Sequence, residues 1–144
     1  MKGLDALKAV GVAVLVLALN FGVVFLAVAA YAQFVAPGHP QSFYNAAAPR
    51  IAGWTAPIAG AVLLAIATFV LGRRRPQRNA LKFAGLAWLA YVIIDLGSGA
   101  AMGDAAAMVT PMMAVSMGLA LAGALTGGAL AGAWPHPRSL EPQS

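Results

Sequence analysis

The chain alternates between long apolar runs and short polar breaks. The runs cover residues 7–35, 55–71, 80–101 and 108–133, and each is nearly free of charge. Each approaches or exceeds the ~17–25 residues that a membrane-spanning helix needs. Inside lipid every backbone N–H and C=O must find its partner within its own segment or across a closed barrel, and these runs show no period-two alternation, so helix is the solution. The pattern predicts an all-α membrane protein: four transmembrane helices in an up-down antiparallel bundle. One domain then fills residues 1–134, and the tail over 135–144, rich in proline and without apolar periodicity, is expected to be disordered.

Composition supports lipid as the folding solvent. Of 144 residues, 61% are hydrophobic and only 9% are charged, with a mean hydropathy of +0.81. That leaves too little polar surface to clothe a water-soluble globule.

The net charge of +5 is distributed unevenly. Lys2 and Lys8 precede the first run, Arg73, Arg74, Arg75, Arg78 and Lys82 surround the second connection, and Arg138 follows the last run; only Arg50 lies in the first connection. The positive-inside rule places the arginine-rich hairpin and both termini in the cytoplasm, with 36–54 as an outward loop, and implies a bacterial inner (plasma) membrane. Arg73, Arg74, Arg75, Arg78 and Lys82 are thereby candidates for contact with anionic lipid headgroups. Membrane anchoring accounts for the basic residues, so no nucleic-acid partner is implied.

The chain has no cysteine, which removes disulfides, thiolate metal sites and cysteine nucleophiles. Lys2, Lys8 and the sequence Ala30-Tyr31-Ala32 also resemble a secretory signal with its small-residue cleavage site. The apolar run is well beyond the ~7–15 residues of a signal core, which favours a retained first span.

The second connection reads as a tight hairpin: Gly72 is placed to close the second helix, Pro76 to stop it and Asn79 to cap the third. In the third connection, Gly103 and Asp104 are turn residues, and Pro111 suits the first turn of the fourth helix. The first connection is the longest and carries His39, Ser42, Tyr44, Arg50 and Trp54. Ser42 is a candidate cap for a short interfacial helix through Ala48, and the aromatic rings suit headgroup level. Anchoring explains most of this segment; a ligand-binding lid is the alternative.

Few polar residues interrupt the spans. Asp95 lies ~21 Å beyond Leu81 in a hydrocarbon layer of roughly 30 Å, where a carboxylate must face other helices or water, be paired, or be protonated. Tyr91, Asp95 and Ser98 recur at helical spacing, and Asn20 and Tyr31 of the first span share nearly one face. The expectation is an outer-half site in which Asp95 is held by Tyr31, Tyr91 or Ser98, or by Arg50 folding down. The ligand-binding candidates are therefore Asp95, Tyr91, Ser98, Asn20, Tyr31, Arg50, His39 and Trp54.

The fourth run carries Gly118, Gly123, Gly127, Gly128 and Gly132, with Gly123–Gly127 and Gly128–Gly132 both G-x-x-x-G. Lipid offers no hydrophobic drive between helices, so glycines four apart supply the groove for close approach, within the monomer or in an oligomer. Met102, Met108, Met112, Met113 and Met117 form a cluster better explained by adaptable packing than by a thioether metal site. Nucleophile elbow, P-loop and H-E-x-x-H patterns are missing, His39 and His136 fall on opposite sides, and no cofactor is implied.

Three function classes follow. The first is a non-enzymatic binding or transport unit, oligomeric, that contacts a small solute, ion or lipid around Asp95 and the outward loop. Level with it stands an accessory or assembly subunit docking onto a larger membrane complex through the glycine-rich fourth helix. A lipid-active enzyme using Arg50, His39 and Asp95 ranks well behind.

Overall fold

The computed structural model describes residues 3–74, 79–101 and 110–134. They form four long helices: α1 (Gly3–Ala30), continued by a short π-helical stretch (Tyr31–Val35), α2 (Gln41–Arg73), α3 (Ala80–Ala101) and α4 (Pro111–Ala133). All four are long and apolar enough to cross a membrane. At 22 residues, α3 is about 33 Å long, close to the ~30 Å of hydrocarbon it would span.

Alanine fills much of the interior, with Val16, Leu64 and Phe83 as the larger buried side chains, while many large aliphatic residues face outward. Ala9, Ala13, Ala84, Ala87, Ala120, Ala124 and Ala131 are buried, whereas Ile58, Val62, Ile66 and Val70 form an exposed row along α2. With acyl chains as solvent, the outer aliphatic faces cost nothing, and the inner small residues let the backbones approach.

The alternating direction expected along the chain is present, but the order around the bundle is not the simple one. The broadest interface joins α2 to α4, which run parallel: α4 seats Gly123 on Ala61, Gly127 on Ala65 and Thr68, and Ala131 on Gly72. Each helix contributes a row of small residues, Ala61, Ala65, Thr68 and Gly72 against Gly123, Ala124, Gly127 and Ala131. Proceeding around the bundle the order is α1, α2, α4, α3, and α2 also touches α3 across the short diagonal, where Gly72 approaches Ala80. Neighbours in space are thus not all antiparallel: α1/α3 and α2/α4 are parallel pairs.

Three of the five α4 glycines make this packing possible. A β-carbon on Gly128 would stand 2.9 Å from the Ala84 β-carbon and 3.1 Å from the Ala80 carbonyl oxygen, and on Gly123 or Gly127 it would collide with the α2 backbone. Gly118 and Gly132 have no described residue within 4 Å of where a β-carbon would stand, which leaves them, of the two roles the sequence allowed, the oligomer contact rather than packing within the chain. Thr68 closes the α2/α4 seam: its hydroxyl, with one proton to give, lies 2.7 Å from the Leu64 carbonyl and 3.0 Å from that of Ala124.

The segment 36–54 is the main departure from expectation. Only Ala36 to Pro40 is non-helical, and α2 starts at Gln41 and runs through Pro49 and Pro57 without ending at Ala48. Pro40, not Ser42, occupies the cap position, without a side-chain hydrogen bond. Proline inside a membrane helix is tolerated because neighbouring helices and local adjustment meet the freed backbone groups. The Tyr44 hydroxyl donates to the Ala36 carbonyl (2.7 Å) and accepts from the His39 N–H (3.1 Å), the His39 and Phe43 rings stack at 4.2 Å, and Gly38 turns the chain at φ +81°. His39, Phe43 and Tyr44 thus fasten the tip of a helical hairpin. Gly72 is likewise not a stop: α2 continues to Arg73, with Gly72 buried against α3 and α4.

Two helix starts behave as the sequence predicts. Asn79 accepts the Lys82 N–H at 3.0 Å, and Pro111 opens α4. Thr110, which the sequence reading passed over, caps α4 by accepting the Met113 N–H at 3.2 Å. The expected turns at 75–78 and 102–109 and the expected tail at 135–144 lie outside the described residues, as do Arg75, Arg78, Met102, Gly103, Asp104, Met108, His136 and Arg138.

Candidate functional site

Polar groups within the spans gather at one level. From α1, Asn20 donates through Nδ2 to the Tyr91 hydroxyl of α3 at 3.4 Å, and Gly60 of α2 makes room for both: a β-carbon there would lie 3.0 Å from the Tyr91 hydroxyl oxygen. Asn20 is 7% exposed and Tyr91 5%, so the pair sits inside the bundle. The other end of the amide, Oδ1, is buried with no hydrogen-bond partner among the described residues. A buried unpaired acceptor costs ~1–3 kcal/mol, so this atom is an expense the fold carries.

This pair forms one end of a cleft of about 420 Å³ that opens toward the end of the bundle carrying the α1–α2 tip. Asp95, one turn beyond Tyr91, lines it together with Ser98, Thr110 and Ser116; Phe21, Pro57, Met112 and Met113 supply apolar walls. The Ser98 hydroxyl donates to the Asp95 backbone carbonyl at 2.8 Å, leaving its lone pairs to the cleft. Pro57 has no N–H to offer the carbonyl of Gly53 four residues back, and both line the cleft. Among the described residues the site offers one carboxyl group and several hydroxyls set among sulfur and hydrocarbon.

Four of the eight ligand-binding candidates meet here: Asp95, Tyr91, Ser98 and Asn20. The other four do not. Tyr31 lies in the π-helical stretch, and its backbone carbonyl accepts the Ala36 N–H at 3.0 Å. His39 belongs to the hairpin tip. Arg50 is exposed on α2 and does not fold down to Asp95, and Trp54, 69% exposed, points away from the bundle. The sequence reading passed over Gly53, Pro57, Thr110 and Ser116; a proline four residues after a glycine in an apolar run was the signal available. Trp88, on the same stripe as Asp95, turns instead toward α4 and donates from its indole N–H to the Met117 carbonyl at 3.1 Å.

The headgroup candidates divide at the opposite end. Arg73 is stacked over the Trp134 ring, 4.4 Å from its centroid, and lies 5.5 Å from that of Phe69, tying the end of α2 to the end of α4. Arg74 and Lys82 are exposed.

No family model, curated protein or solved structure matches this chain. Its functional reading rests on the chemistry of the cleft.

Proposed function

We propose that this protein is a small non-enzymatic membrane binding or transport unit whose cleft takes a solute bearing a cationic or strongly hydrogen-bond-donating group on a small apolar body. The observation that carries this reading is the Asn20 Oδ1 atom, buried without a partner beside Tyr91 at the inner end of a cleft that also holds the Asp95 carboxyl. An intramembrane ionisable residue facing a cavity marks a ligand or ion pathway more readily than a packing position. The Asp95 carboxyl favours an ammonium over a carboxylate, and the methionine and phenylalanine walls favour a short hydrocarbon portion.

The test uses hexylammonium, hexanoate and hexanol as probes of equal length, titrated calorimetrically into the protein in mild detergent. Hexylammonium is expected to bind best, and Asp95→Asn, which keeps the shape and removes the charge, to weaken it by about tenfold or more. Equal binding of hexanoate, or an Asp95→Asn variant that binds hexylammonium as well as the parent, overturns the reading.

The proposed orientation puts the basic end and both termini in the cytoplasm of a bacterial inner membrane, so the cleft opens outward. A reporter fused after Ser144 is expected to read cytoplasmic in intact cells; a periplasmic signal reverses the direction of access.

The accessory-subunit alternative loses part of its footing. Gly123, Gly127 and Gly128 are already occupied by α2 and α3, so docking through α4 falls to its outer row, with Gly118 and Gly132.

A further inference from the structure

A second concavity lies at the basic end, between α1, α2 and α3. It measures about 510 Å³ and is lined by Lys8, Gly11, Val12, Leu15, Leu71, Arg74 and Phe83. Val12 and Phe83 are buried and form its floor, while Gly11 and Leu15 leave its side open to the surroundings. Among the described residues its lining is apolar except for two cations, and these come from different helices: Lys8 near the start of α1 and Arg74 just past the end of α2.

Gly11 explains why the groove exists. Glycine within a helix costs roughly 0.5–1 kcal/mol relative to alanine and is usually retained where another backbone comes close. Here none of the described residues lies within 4 Å of where its β-carbon would stand. The missing side chain therefore serves no contact within the chain, and instead leaves a channel along α1 from Lys8 to Leu15, roughly 10 Å long. An inorganic anion would use the two cations and leave the apolar channel empty. A zwitterionic lipid would use the channel and gain less from the cations. An anionic phospholipid satisfies both, with its phosphate at the level where α1 and α2 leave the hydrocarbon and its chain lying along the helices.

We propose that this groove binds one acyl chain of an anionic phospholipid whose phosphate is held between Lys8 and Arg74. The site is separate from the Asp95 cleft and does not depend on the function proposed for it. Its role is that of a fixed lipid, seated where α1, α2 and α3 meet and filling a space the chain leaves open.

Native mass spectrometry of the full-length protein in a non-ionic detergent tests this, with phosphatidylglycerol and phosphatidylcholine of identical chains as probes. Phosphatidylglycerol is expected to be retained preferentially. The double variant Lys8→Gln/Arg74→Gln should weaken it about 10-fold or more, whereas Arg50→Gln/Lys82→Gln, which removes the same charge at exposed positions outside the groove, should change it by no more than about twofold. Gly11→Leu introduces its side chain into open space, so the fold survives, and it should weaken both lipids by blocking the channel. Equal losses from the two charge pairs would mean a diffuse basic surface, and unchanged lipid retention by Gly11→Leu would mean that no chain lies in the groove; either result overturns the proposal. Displacement of the lipid by inorganic phosphate alone would also overturn it, because the apolar half would then contribute nothing.

Discussion

Gly127→Ala is expected to unseat α4 from α2 and to lower the stability of the isolated monomer by about 3 kcal/mol or more, at the upper end of the cost of overpacking a core. The added methyl has nowhere to go: it meets the Ala65 carbonyl and the Thr68 hydroxyl, and a carbonyl in a continuous helix cannot rotate aside as a side chain can. Relief requires the two helices to separate along their whole contact. That in turn pulls the Thr68 hydroxyl from the Ala124 carbonyl and opens the seam between Gly72 and Ala131. Gly118→Ala and Gly132→Ala are the internal controls, since a β-carbon at either position meets nothing and should leave stability within about 1 kcal/mol of the parent. Thermal denaturation in detergent, followed by helical circular dichroism, separates these outcomes. If Gly127→Ala matches the two controls, the parallel α2/α4 interface is not what holds the bundle together.

Equal glycines with unequal consequences show where the sequence stops being readable. In the chain, Gly118, Gly123, Gly127, Gly128 and Gly132 are five small residues on one apolar helix. Only the ring order, with α4 between α2 and α3, decides which of them meet backbone and which meet lipid. The spans themselves were legible, because an uninterrupted apolar run has one solution in a bilayer. The start of α2 was not. Pro49, Pro57 and a cluster of polar and aromatic side chains look like a loop by the rules of water-soluble helices, yet Ala46, Ala47 and Ala48 are strong helix formers and a hairpin partner is close by. From the shared level of Asn20, Gly60 and Tyr91, α3 continues to Ala101, roughly 15 Å, whereas α2 reaches back to Gln41, roughly 28 Å. The hairpin tip therefore rises past the end of α3 and carries His39 beyond the cleft, whereas Tyr31 and Arg50 stand near the level of Ala101 without lining it. Asn20, Tyr91, Asp95 and Ser98 were legible as a group because polar residues at helical spacing in an apolar run share a face, and all four line the one cleft, with Ser98 at its exposed edge.

Asn20 and Tyr91 allow structure and function to be pulled apart in a single cycle. Asn20→Leu, a change to an apolar residue of similar size, is expected to abolish hexylammonium binding while leaving thermal stability near that of the parent. The variant loses a long 3.4 Å hydrogen bond, and such bonds between membrane helices average only ~0.6 kcal/mol; it also removes the unpaired Oδ1 atom from the interior and leaves behind a single Tyr91 hydroxyl, which lines the cleft. Tyr91→Phe should do the opposite to stability. It strips Asn20 of its one partner, leaves both ends of a buried amide unpaired, and should cost about 1–3 kcal/mol. With both changes together no polar atom of the pair remains buried, so the double variant is expected to exceed the parent in stability by about 1 kcal/mol while binding nothing. A protein that would be more stable without a buried polar pair, yet has it, keeps the pair for what the cleft does. If Asn20→Leu proves as destabilising as Tyr91→Phe, the pair is a structural tie between α1 and α3, and the ligand must be sought on Asp95 and Ser98 alone.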